Sequence, residues 1–109
     1  MSYVPKRGDA IWINFNLQAG HEQSGRRPAI VLSPQSYNGK VGLCLLCPIT
    51  NKVKGYPFEV LIPTDLAVTG VVLSDQVKSL DWRVRNAEFA AQLREIVTNE
   101  VLKKLKSLL

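Results

Sequence analysis

Apolar and polar positions alternate along most of this chain, and only near its end does the spacing change. Residues 8–16, Gly-Asp-Ala-Ile-Trp-Ile-Asn-Phe-Asn, predict a first strand with Ile11, Ile13 and Phe15 on one side and Trp12 and Asn14 on the other. Trp12 then either covers a second small apolar surface or lines a groove or subunit contact. A polar loop over 17–26 separates it from an apolar run of strand type over 28–33. Ser33-Pro34-Gln35-Ser36-Tyr37-Asn38-Gly39 combines a cap-type serine, a proline at a first-turn position and a terminating glycine, which predicts one short helical turn. Residues 41–50 form a nearly continuous apolar strand, which implies burial on both faces for part of its length. Phe58–Ile62 and Thr69–Ser74 read as further strands, Asp75–Leu80 as a compact polar connection, and Arg83–Ala91 as a last strand. Short strands with closely spaced turn signals argue for a small barrel or a strongly bent sheet.

Beyond residue 95 the period lengthens. Ile96, Val97, Val101, Leu105, Leu108 and Leu109 recur at steps of about three and four, with Glu100, Lys103, Lys104 and Lys106 elsewhere. This predicts an amphipathic helix of about 15 residues, roughly 23 Å long, closing one end of the barrel.

The 109 residues, 46% hydrophobic and 21% charged, fit one globular domain spanning 1–109. No run approaches the roughly 18–20 apolar residues of a membrane span. The N-terminal Met1-Ser2-Tyr3-Val4-Pro5-Lys6 has no apolar signal core, which points to the cytoplasm. A net charge of +5 is compatible with a nucleic-acid partner without establishing one. Cys44 and Cys47 form a lone C-x-x-C inside a strand pattern. Odd spacing there sends the two thiols to opposite faces, so they read as buried and inert rather than as a bridge or metal pair.

The chemistry concentrates in Gly20-His21-Glu22-Gln23-Ser24-Gly25-Arg26-Arg27-Pro28. Pro28 biases Arg27 towards an extended backbone, which places this cation where a polar loop enters the sheet. A rigid guanidinium there is suited to holding a phosphate, although a surface salt bridge is the commoner role for such an arginine.

Two further segments stand with it: Pro48-Ile49-Thr50 followed by Lys54-Gly55-Tyr56-Pro57-Phe58-Glu59-Val60, and Val71-Val72-Leu73-Ser74-Asp75-Gln76-Val77-Lys78-Ser79. In order and spacing, the three resemble the MazF/PemK toxins of bacterial toxin–antitoxin modules, most closely the MazF branch. The resemblance implies a mainly β fold with helices, a small SH3-like β-barrel of the MazF/PemK/CcdB type with a C-terminal amphipathic helix, assembled as a homodimer. It implies an endoribonuclease that cuts single-stranded mRNA at a short sequence with no metal and no cofactor, and a cognate MazE-like antitoxin that blocks the RNA groove.

By that resemblance Arg27 and Thr50 are the catalytic pair. Glu22 is either the general base or the residue that orients Arg27. His21, Gln23, Arg26, Lys52, Lys54, Tyr56, Asp75 and Gln76 are the candidate substrate contacts. Arg85 is a further candidate for phosphate, and Trp12 a further candidate for base stacking. In the Kid branch an aspartate in the matching Asp-Gln step is the proposed base and an arginine two residues earlier the proposed acid. Here that earlier position is Leu73, so Asp75 and Gln76 are read as shaping the site or reading a base. The competing reading keeps the barrel and drops the chemistry, leaving a non-catalytic nucleic-acid or protein binding module.

Overall fold

The computed structural model describes residues 3–15, 25–63 and 67–109. In chain order the elements are β1 (Asp9–Asn14), β2 (Arg26–Val31), α1 (Gln35–Val41), β3 (Leu43–Thr50), β4 (Glu59–Leu61), β5 (Val71–Leu73), β6 (Lys78–Asp81), β7 (Glu88–Gln92) and α2 (Glu95–Lys106). The strands pair antiparallel in the order β4-β5-β3-β2-β1-β7, with β6 also on β3. The fold is mainly β and barrel-like with a C-terminal helix, as the pattern predicts. Among the described residues the pairing path stays open between β4 and β7.

Alternation along the central strands builds a core on each face of this bent sheet. Ile30 and Leu32, with Cys47 and Ile49, join Val60, Val72, Val97 and Val101 under α2. Ala29 and Val31, with Cys44 and Leu46, join Ile11, Ile13 and Trp82 on the other face. Cys44 and Cys47 are therefore both buried and on opposite faces, as their odd spacing requires.

Several boundaries differ from the sequence reading for local reasons. α1 is nearly two turns and ends at Gly42, whose φ of 85° supplies the left-handed cap; Gly39 lies inside it. Ser33 caps nothing; its hydroxyl donates to Asn38 Oδ1 at 2.6 Å and accepts from the Leu45 amide at 2.9 Å. Residues 78–81 are a strand rather than part of a connection, because they pair with Cys44–Leu46 and Leu43 of β3. Residues 83–86 are a turn rather than a strand. Asp81 Oδ1 accepts the Arg83 and Val84 amides at 3.0 Å each, and Asn86 adopts a φ of 55°, which holds the reversal. β7 begins only at Glu88.

α2 has 12 residues. Its last turn tightens, with Leu108 and Leu109 amides bonding to Leu105 and Lys106 carbonyls at 3.0 Å. Val97 and Val101 face the core, but Ile96, Leu108 and Leu109 are exposed, so the buried stripe is narrower than the spacing suggests. Among the described residues no helix is long and apolar enough to cross a membrane.

Candidate active site

The site arises from an interruption in the pairing of β3. One edge of β3 carries β2. The other edge carries β6 as far as Leu46↔Lys78, and then β5 from Ile49↔Val72 onward. Cys47 and Pro48 fall between, where Pro48 has no N–H to offer a ladder. Opposite them the chain leaves the sheet as a turn, with the Gln76 amide donating to the Leu73 carbonyl at 3.1 Å. Asp75 and Gln76 project from that turn, while Ser74 stays buried.

Two adjoining depressions flank this interruption. One, about 270 Å³, is lined by Phe15, Arg27, Pro48, Ile49, Thr50, Leu73, Gln76 and Lys78. The other, about 450 Å³, is lined by Thr50, Lys52, Lys54, Tyr56, Glu59, Leu73, Asp75 and Gln76. Thr50, Leu73 and Gln76 belong to both, so together they form one groove with Arg27 at one end and Tyr56–Asp75 at the other. A larger cleft of about 460 Å³ between Arg7 and α2 holds none of the residues singled out from the sequence.

Each functional side chain is placed by its element. Arg27 pairs with Ile13 across β1 and β2, and its side chain is exposed at the groove with no bonded partner among the described residues. Thr50 ends β3, and its Oγ1 accepts the Lys52 amide at 3.1 Å, which leaves the hydroxyl proton free to donate. Gly70 packs against the Thr50 carbonyl so closely that a Cβ there would lie 2.3 Å from the oxygen. The Tyr56 hydroxyl donates to Asp75 Oδ1 at 2.8 Å and joins the two loops across the groove. That bond and the Asp75 charge push the Tyr56 phenol up to about 12, so it remains a donor at neutral pH. Burial pushes both cysteine thiols up to about 12, which keeps them out of nucleophilic chemistry.

Of the residues named from the sequence, the groove brings together Arg27, Thr50, Lys52, Lys54, Tyr56, Asp75 and Gln76. His21, Glu22 and Gln23 lie outside the described residues. Arg26 does not join the groove: its guanidinium pairs with Glu88 at 2.5 Å and donates to Asn14 Oδ1 at 3.2 Å. Arg85 is likewise occupied, donating to the Asn14 and Phe15 carbonyls at the end of β1. Trp12 pairs with Pro28 and so points to the face opposite Ile13 and Arg27, away from the groove; it is 39% exposed.

The groove is also lined by Phe15, Glu59 and Lys78 and by the apolar Pro48, Ile49 and Leu73, none of which the sequence assigns to the site. Lys78 lies in a stretch whose sequence reads as a connection, and only its register opposite Leu46 brings it to the groove. Glu59 reads simply as an exposed strand position.

A family described as "PemK-like, MazF-like toxin of type II toxin-antitoxin system" matches residues 6–109. The chain is 54% identical over 85 residues to the endoribonuclease toxin MazF of Escherichia coli (strain K12), covering 78% of this chain and 76% of that protein. A crystal structure of MazF from Deinococcus radiodurans shares the fold with a TM-score of 0.90 at 57% identity, covering 98% of this chain and 97% of that one. A crystal structure of MazE-MazF from the same organism matches with a TM-score of 0.88 at 51% identity, covering 98% and 96%.

Proposed function

Because the chain belongs to the family of PemK-like and MazF-like toxins of type II toxin–antitoxin systems, we propose that it is an endoribonuclease toxin that cuts single-stranded mRNA at a short sequence without a metal ion. The observation that carries this reading is the shared groove, which puts the exposed Arg27 guanidinium and the Thr50 hydroxyl on one wall and Lys52 and Lys54 further along it. A bent RNA strand needs such a row of cations beside flat surfaces, and Tyr56 supplies one.

The chemistry follows from those groups. A base removes the proton of a ribose 2′-OH, and the oxygen attacks the adjacent phosphorus in line. The P–O5′ bond breaks, the leaving oxygen takes a proton, and the products are a 2′,3′-cyclic phosphate and a 5′-OH end. Arg27 stabilises the extra negative charge through two N–H groups, and Thr50 donates to a non-bridging oxygen. Charge stabilisation from these side chains does the work a metal would otherwise do. Glu22 is proposed as the base or as the residue that orients Arg27. DNA lacks the attacking hydroxyl and is not cut.

Residues 1–109 act as one domain in this reading and pair as a homodimer; similarity to the MazE-MazF structure supports neutralisation by a MazE-like antitoxin. Its mRNA target places it in the cytoplasm.

The test is to incubate purified protein with long single-stranded RNA in EDTA, beside Arg27→Ala. Cuts at one short motif with 5′-OH ends, reduced about 10²–10³-fold in the variant, are expected. A folded wild-type protein that cuts none of several RNAs would leave only the binding module.

A further inference from the structure

Glu59 is out of place for its setting. It lines the groove beside Lys52, Lys54 and Asp75, on a wall that receives phosphate in the nuclease reading. A carboxylate there repels the substrate, so its presence calls for a compensating role. It is not an ion-pair partner: among the described residues, neither Lys52 nor Lys54 holds its ammonium in a salt bridge.

Both of its oxygens are instead committed to backbone. Glu59 Oε2 accepts the Lys54 amide and Oε1 accepts the Gly55 amide, each at 2.9 Å. Gly55 has a φ of 82° with nothing within 4 Å of where a Cβ would stand, so its left-handed backbone serves the turn rather than close packing. Successive amides converging on one anion form a concavity that a negative charge fills. In this loop the charge comes from within the chain. Residues 51–55 are exposed, and among the described residues the segment is otherwise held at its start, by the Lys52 amide on Thr50 Oγ1, the Val53 amide on the Asn51 carbonyl and the Thr69 hydroxyl on Asn51 Oδ1. Lys104 on α2 reaches the Pro57 carbonyl and fixes the far end of the loop, but not the stretch that carries Lys52 and Lys54.

We infer that Glu59 is a positioning residue: its carboxylate holds the Lys54–Gly55 backbone, and through it sets where Lys52, Lys54 and Tyr56 meet the RNA. This rests on the nuclease reading for its functional half only. The acceptor sits on strand β4, whose Val60 is buried in the core, so the loop is referenced to the rigid sheet rather than to solvent.

Two measurements test it on the full chain. The first is amide hydrogen exchange without RNA. In Glu59→Ala the Lys54 and Gly55 amides should exchange about tenfold faster, with β3 and β5 amides unchanged. Glu59→Gln, which keeps one acceptor oxygen, should fall between. The second is steady-state cleavage of an RNA carrying the preferred motif. Glu59→Ala should raise KM several-fold and leave kcat within about twofold, with partial rescue by Glu59→Gln. Wild-type exchange at Lys54 and Gly55 in the alanine variant would overturn the inference. So would exchange accelerated across the whole sheet, or a loosened loop with unchanged KM. If the wild-type protein cuts no RNA, the nuclease reading fails, and the exchange data still decide whether Glu59 holds the loop.

Discussion

Replacing Gly70 with alanine should damage both stability and the groove, and Gly55→Ala provides the internal reference. Both glycines have positive φ, 113° and 82°. A side chain in that region costs about 1–2 kcal/mol from backbone strain alone. The surroundings then separate the two. At Gly55 an added methyl meets open space. At Gly70 it would lie 2.3 Å from the Thr50 carbonyl oxygen, 2.8 Å from its carbon and 2.9 Å from Asn51 Oδ1. The first two are backbone atoms and cannot rotate aside, so the end of β3 must shift. Overpacking of this kind adds about 1–3 kcal/mol. For a domain of this size, about 4 °C of Tm is lost per kcal/mol. Gly55→Ala should therefore melt roughly 4–8 °C below wild type, and Gly70→Ala roughly 8–20 °C below it. Because the displaced residue is Thr50, Gly70→Ala should also lose cleavage at temperatures where it remains folded. Thermal unfolding by circular dichroism, followed by RNA cleavage below both transitions, reads the two effects. Equal Tm values for the two variants would refute the close-packing argument.

Three further outcomes are expected. The Tyr56–Asp75 hydrogen bond raises the Tyr56 pKa to about 12, so the stability it contributes is full below the ordinary tyrosine value of about 10 and is lost as pH rises towards 12. The tyrosinate absorbance of wild type minus Tyr56→Phe should then show a step near 12, and a step near 10 would contradict the bond. Cys44 and Cys47, buried with thiols held near 12, should react with a disulfide reagent at neutral pH only after denaturant is added; prompt labelling of the native protein would show the core to be wrongly drawn. If about three phosphates are neutralised in the groove, log affinity against log salt should have a slope near −2, shallower by about 0.7 in Lys52→Ala. An unchanged slope would remove Lys52 from the RNA path.

What could be read from the sequence was whatever period and burial control. The nearly continuous apolar run over 41–50 forecast burial on both faces, and the odd spacing of Cys44 and Cys47 forecast their opposite faces. From the three segments that carry the family resemblance, Arg27, Thr50 and Gln76 line one groove, while residues 20–24 lie outside the described residues. What escaped was set by long-range register or by side-chain bonds to backbone. Lys78–Asp81 has little apolar period because β6 is a partly exposed strand, so only its pairing with β3 reveals it. Arg83–Asn86 has a strand-like composition, and the Asp81 carboxylate overrides it. Arg26 and Arg85 read as free cations until Glu88 and the end of β1 are seen beside them. Glu59 carried no signal because its partners are amides, which every residue but proline supplies.

The interruption of pairing at Cys47 and Pro48 also bears on how such a toxin can change its target. Asp75 and Gln76 face the groove from a turn that owes no ladder bonds to β3, while Ser74 before it and Lys78 after it are anchored. Substitutions at 76 and 77 therefore fall on a stretch insulated from the folding of the sheet, whereas Asp75 also holds the Tyr56 hydroxyl. A lineage can remodel that wall of the groove while the scaffold that holds Arg27 and Thr50 stays intact, and such drift need not pass through unfolded ancestors.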